Sequence, residues 1–207
     1  MKEVYVVGED PVTKEIVSRI IRDYAPNLYI KGYLPARGGE IKKKMENFNA
    51  FSLSYPVVLL SDMDADDCAP MAKDNTKGMS SQNSGFIINI AVDEAEAWLF
   101  ADIKGFARYL GVAEEHMPHP SEQKFGGPKK RMEMEIPLKA SYFLTHKVIV
   151  ESNKKDLKEQ IHAPGKACKG PEYNPALLPF IKNDWNIEEA RKNSYSLDGM
   201  IKRVSAL

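Results

Sequence analysis

The chain is 207 residues long, and its 29 basic and 29 acidic side chains leave no net charge, so bulk electrostatics name no partner. Apolar content of 43% and charged content of 28% fit a soluble globular protein with a real interior. Two cysteines far apart, Cys68 and Cys168, exclude a disulfide framework or zinc knuckle, and no stretch has the ~20 apolar residues of a membrane span or the pattern of a signal peptide. The expected compartment is the cytoplasm.

"EVYVVG" (3–8) reads as a first strand, short and β-branched. "DPVTKEIVSRIIRDYA" (10–25) reads as a helix. Asp10 suits its cap and Pro11 its first turn, and Val12, Ile16, Ile20 and Tyr24 form one apolar face. "LYIKGYL" (28–34) is a second strand. Residues 36–51 start in the Gly-rich turn at Arg37 and become a helix with Ile41, Met45 and Phe48 inward. "PVVLLS" (56–61) is apolar on both faces, as in a parallel sheet, and "GFIINIAV" (85–92) is similar. Residues 93–111 read as a helix broken near Asp102, with Trp98 in the core. Strand and helix therefore alternate, which predicts an α/β core over 1–111 with a mostly parallel sheet flanked by helices, Rossmann-like.

Residues 112–207 read differently. A Pro/Gly-rich connection spans 116–131, a mixed stretch follows, and the last forty or so residues look like a loop and then helices. The expectation is a basic, mainly helical C-terminal elaboration packed on the core. Charge is uneven: residues 60–102 carry nine acids against two lysines, and residues 124–182 carry twelve Lys/Arg against six acids. His116 and His119 have no cysteine nearby, so zinc is not indicated.

"LLSDMDADD" runs a buried strand into Asp62, Asp64, Asp66 and Asp67. In a parallel sheet the loops after the strand carboxyl ends form the ligand crevice. In extended backbone Asp62 and Asp64 point to the same side, and two carboxylates so close repel unless a cation or proton intervenes. Oxygen-only donors in a D-x-D pattern suit Mg²⁺ or Mn²⁺. The plain alternative, an acidic helix start, fits Asp66 and Asp67 better than Asp62 and Asp64. Glu9 follows the first strand, and Glu94 and Glu96 follow the fourth. Glu94 and Glu96 lie ~200° apart on a helix, so at most one faces a shared ion.

A Gly-Glu after the first strand and an Asp-x-Asp after a later one resemble the TOPRIM domain of topoisomerases, primases and the nucleases of the overcoming-lysogenization-defect group. "VVGEDPVTKEIVSRII", "VDEAEAWLFAD", "GPKK" and "GKACKGPEYNPALLPFI" resemble a TOPRIM-like bacterial family often paired with an ATPase and associated with phage defence. The resemblance implies Glu9 as general base or metal ligand and Asp62 and Asp64 as the Mg²⁺-holding pair. It implies Glu96 as a further ligand, with Glu94 in reserve, and a lysine at Lys166. The usual opening of that family is V-E-G, whereas here the glutamate of Val7-Gly8-Glu9 follows the glycine.

The expected function is divalent-metal-dependent cleavage of DNA or RNA, an endonuclease that is the effector of a phage-defence or toxin-like system. The ion would be held by Glu9, Asp62, Asp64, Asp66 and Glu94 or Glu96. Lys166 or Lys169 would offset negative charge on the phosphate. Lys129, Lys130 and Arg131 would contact the nucleic-acid backbone. A partner ATPase and a homo-oligomer are compatible with this reading, and a membrane is not involved. The rival is a non-catalytic, metal-binding TOPRIM-like module that binds a partner ATPase or nucleic acid. A receiver domain wants its acid pair after the first strand and a lone Asp after the third, whereas here the pair follows the third strand and Glu9-Asp10 stands after the first; haloacid-dehalogenase-like phosphatases need an Asp-x-Asp after the first strand, which this chain lacks.

Overall fold

A computed structural model describes residues 1–36, 40–63, 81–124, 130–136, 138–165, 167 and 169–207. The chain divides into two compact units, Met1–Ala91 with Gly199–Leu207, and Val92–Asp198. The boundary expected after residue 111 falls inside the second of these.

The first unit is built on four parallel strands, β1 (Lys2–Val7), β2 (Leu28–Tyr33), β3 (Val57–Asp62) and β4 (Phe86–Ala91), in the order β2-β1-β3-β4. Between β1 and β2 runs helix α1 (Pro11–Tyr24), and between β2 and β3 runs α2 (Glu40–Phe51). From β1 the chain steps outward to β2, then returns past β1 to β3. Right-handed crossovers in opposite directions put α1 and α2 on opposite faces of the sheet. Ile41, Met45 and Phe48 of α2 pack with Val57, Leu59, Phe86 and Ile88 on one face. Val58 and Leu60 alternate to the other side and are equally buried. Apolar side chains on both faces explain why β3 reads as an unbroken apolar run.

Local chemistry sets the start of α1. The Asp10 carboxylate accepts from the Thr13 amide at 2.9 Å, and the Asp10 amide donates to Thr13 Oγ1 at 3.1 Å. Asp10 and Thr13 thus form a reciprocal capping box, with Pro11 in the first turn. Buried Asn89 on β4 donates to the Leu59 carbonyl at 3.0 Å and accepts from Arg203 Nε at 2.9 Å.

The second unit is mainly helical. Its helices are α3 (Ala95–Phe100), α4 (Ile103–Leu110), α5 (Ala140–Phe143), α6 (Lys155–Ile161), α7 (Tyr173–Pro179) and α8 (Ile187–Asn193). The final helix of the chain, α9, spans Tyr195–Ser205. The predicted break at Asp102 is present, because the Asp102 side chain caps α4 by accepting from the Gly105 amide at 3.1 Å.

One element was not foreseen. Within the stretch read as a connection, β5 (Ser121–Lys124) and β6 (Lys130–Glu133) form an antiparallel pair. Their sequences, SEQK and KRME, are polar and lack alternation, so only the partner strand reveals them. Buried Glu133 on β6 accepts from Ser194 Oγ at 2.7 Å and from the Ser196 amide at 2.9 Å, which tethers the pair to the start of α9. Among the described residues, no helix is long and apolar enough to cross a membrane.

Candidate functional site

The strand order reverses direction between β1 and β3, which are neighbours in the sheet. In open α/β sheets the crevice at the carboxyl ends of the strands flanking such a reversal is where ligands bind. The residue after β1 is Gly8. A Cβ there would meet Thr13 Oγ1 at 2.7 Å and the Lys14 amide nitrogen at 3.0 Å, so only glycine lets the chain turn this tightly into α1. Of the two acids that follow, Asp10 is committed to the helix cap. Glu9 reaches across to β3, and its Oε1 accepts from Ser61 Oγ at 2.8 Å.

Ser61 is buried and directly precedes Asp62, the half-buried last residue of β3. The backbone of Asp62 is ordered by its pairing with Ala91, and the next amide, Met63, donates to the Ala91 carbonyl at 3.0 Å. The acids predicted after β1 and after β3 thus end adjacent strands. Asp64, Asp66 and Asp67 lie outside the described residues, as do Lys129, Lys166, Cys68 and Cys168. Among the described residues no group of three or more His, Cys, Asp or Glu is arranged to hold a metal ion.

In the second unit, Asp93 has a φ of 65°, a left-handed conformation that Asp tolerates better than most residues. Glu94 and Glu96 are both buried, and each meets cationic or N–H/O–H partners. The Ser141 amide donates to Glu94 at 2.7 Å, and Lys139 Nζ lies 3.7 Å from it. Tyr173 donates to Glu96 at 2.9 Å, and Lys169 Nζ lies 3.4 Å from the same oxygen. Lys169 also sits over the Tyr173 ring, 4.8 Å from its centre, so carboxylate and ring together orient the ammonium. Burial, with Glu94 and Glu96 nearby, raises the Asp93 carboxyl to about 7. Asp93 Oδ2 is buried without a hydrogen-bond partner among the described residues.

The "EAWLFAD" stretch now has a physical reading. Glu96 meets Lys169 and Tyr173, the Trp98 indole donates to Ser196 Oγ at 2.8 Å, and Asp102 accepts from the Asn186 amide at 2.8 Å. Seven consecutive residues thereby tie three later segments of the same unit together. Of the basic run, Lys130 and Arg131 are exposed on β6, and Lys130 Nζ lies 2.5 Å from Glu122 on β5. Sequence reasoning missed Ser61, Asp93 and Tyr173. Asp93 had a signal, three acids within four positions after a strand. Ser61 and Tyr173 had none, since their partners are 52 and 77 positions away.

Fold and strand-end acids define a class: a doubly wound parallel α/β unit with carboxylates at the reversal of its strand order. The chain belongs to the DUF4276 family, a domain of unknown function whose model matches residues 8–162, from Gly8 past the β5–β6 pair and α6. Comparison with curated proteins and with solved structures returns no match.

Proposed function

We propose that this protein is a Mg²⁺- or Mn²⁺-dependent nuclease that hydrolyses phosphodiester bonds of DNA or RNA. The observation that carries the reading is the Glu9–Ser61 hydrogen bond, which brings the acid after β1 against the residue preceding Asp62 at the strand-order reversal. The donors there are carboxylate oxygens, the hard ligands these ions take. Glu9 and Asp62 would hold the ion, joined by Asp64 and Asp66, while Glu94 and Glu96 keep their own partners within the second unit. When bound, such an ion lowers the pKa of water and offsets charge on a phosphoryl oxygen.

The chain's own residues have separate tasks. Ser61 fixes the rotamer of Glu9. Glu96 and Tyr173 orient Lys169, which together with Lys166 would face phosphate charge. Lys129, Lys130 and Arg131 would contact the backbone of the nucleic acid. A partner ATPase and a role in phage defence rest on the resemblance to TOPRIM-like proteins.

The test is cleavage of plasmid, linear DNA and tRNA with Mg²⁺ or Mn²⁺, compared with an Asp62→Ala, Asp64→Ala double variant. Metal-dependent cleavage that the double variant lacks supports the reading. Metal binding without cleavage on any substrate, with or without an added ATPase, supports the non-catalytic module instead.

A further inference from the structure

A pocket of about 610 Å³ lies in the second unit, lined by Lys155, Lys158, Glu159, His162, Pro164 and Pro171. The volume is in the range of small-molecule sites, about 300–1,000 Å³. Four of the six residues, 155, 158, 159 and 162, recur at i, i+3, i+4 and i+7, so one wall is a single face of α6 and the residue after it. Pro164 and Pro171 complete the lining.

The chemistry of the walls is specific. Lysine stems are apolar and flexible, with the charge at the tip. Proline rings are rigid and flat-sided. Together they suit a planar apolar body and place ammonium groups at its edge. The Lys155 side chain is 86% exposed and its Nζ is 3.9 Å from Glu159, a loose pair that an anion can compete for. Lys158 donates one of its three N–H groups to the Val150 carbonyl. His162 Nδ1 lies 2.9 Å from the Thr145 carbonyl, which can only accept, so the neutral ring carries its proton on Nδ1 and presents Nε2 as an acceptor. The pocket therefore offers proline rings, lysine stems, an imidazole acceptor for an N–H, and two cations beside one carboxylate, Glu159.

We propose that this pocket binds a nucleotide. Its base lies between the lysine stems and the prolines, an N–H of the base donates to His162 Nε2, and its phosphate meets Lys155. The site does not depend on the strand-end acids or on any metal. A free mononucleotide and one unit of a nucleic-acid strand share this chemistry.

The experiment is titration calorimetry of the full chain in EDTA, which silences any metal-dependent step, with AMP, GMP, CMP and UMP. Inorganic phosphate is the control and a tetranucleotide the second arm. At least one mononucleotide binds with Kd of about 1 mM or tighter, and both Lys155→Glu and His162→Phe weaken it about tenfold or more. Amide shifts on binding fall within residues 155–171. Tighter binding of the tetranucleotide assigns the pocket to a unit of a strand, and equal binding assigns it to free nucleotide. Lys155→Glu alters an exposed side chain and leaves the thermal midpoint unchanged, so loss of binding there is not loss of fold. The proposal fails if no mononucleotide binds, if phosphate alone binds as tightly, or if both variants bind like the parent.

Discussion

Ser61 Oγ donates to Glu9 Oε1 at 2.8 Å, linking the second residue past β1 to the penultimate residue of β3. The two strands are neighbours where the strand order reverses. Because Ser61 is buried, its hydroxyl is poorly served by water, and the bond restricts the rotamer of Glu9 beside Asp62.

Removing that donor tests the proposed site directly. Hydrogen bonds to charged groups contribute about 1.5–3 kcal/mol. Ser61→Ala should weaken Mn²⁺ binding by about tenfold, since 1.4 kcal/mol is a factor of ten. Titration calorimetry with Mn²⁺ reads the effect. Unchanged affinity in a folded Ser61→Ala variant removes Glu9 from the ion's surroundings.

Gly8 should not tolerate a side chain. In Gly8→Ala the added carbon would press on Thr13 Oγ1 and on the backbone of Lys14, and the first turn of α1 cannot yield without breaking the capping box. The expected loss is ~1–3 kcal/mol of stability. Urea denaturation followed by far-UV circular dichroism measures it, and a loss near zero means that the turn is looser than described.

Tyr173 and Lys169 should contribute unequally to holding Glu96. Tyr173 is 2% exposed, and Tyr173→Phe removes a donor from a carboxylate that is itself 3% exposed, at ~1–3 kcal/mol. Lys169 is 39% exposed, and screening limits the effect of Lys169→Met to about 1 kcal/mol or less. Chemical denaturation of the two single variants and the double variant gives each cost and their coupling. The reverse order of costs contradicts the geometry.

Glu133 predicts a pH dependence. Burial raises its carboxyl from 4.5 to about 7, against the opposing effect of hydrogen bonds from Ser194, Ser196 and Met134. Its folded pKa therefore exceeds its unfolded one, and the folded state holds the proton more tightly. The stabilisation is fully present below about pH 4.5 and is lost as pH rises through about 7, a span worth a few kcal/mol. Glu133→Gln keeps the shape and removes the titration. Stability measured from pH 5 to pH 8 should fall less steeply in the variant than in the parent, and parallel curves would show that Glu133 does not carry the effect.

The described strands and helices through residue 110 were written in local sequence, because β-branched runs, helical periodicity and the Asp10-Pro11 start signal act over a few residues. The same holds for the break at Asp102, which caps a helix three residues on. The acids Glu9 and Asp62 were legible as strand-end residues for that reason. The β5–β6 pair was not, since SEQK and KRME carry no apolar alternation and become strands only beside each other. Nor were the partners of the acids. Pairing Glu94 with the Ser141 amide and Lys139, and Glu96 with Tyr173 and Lys169, depends on how distant helices pack, which local pattern does not encode. Strand order was likewise left open, and it alone seats β1 beside β3 and Glu9 against Ser61. Neighbours in a sheet are chosen by long-range hydrogen bonding and crossover handedness, and the tertiary structure decides both.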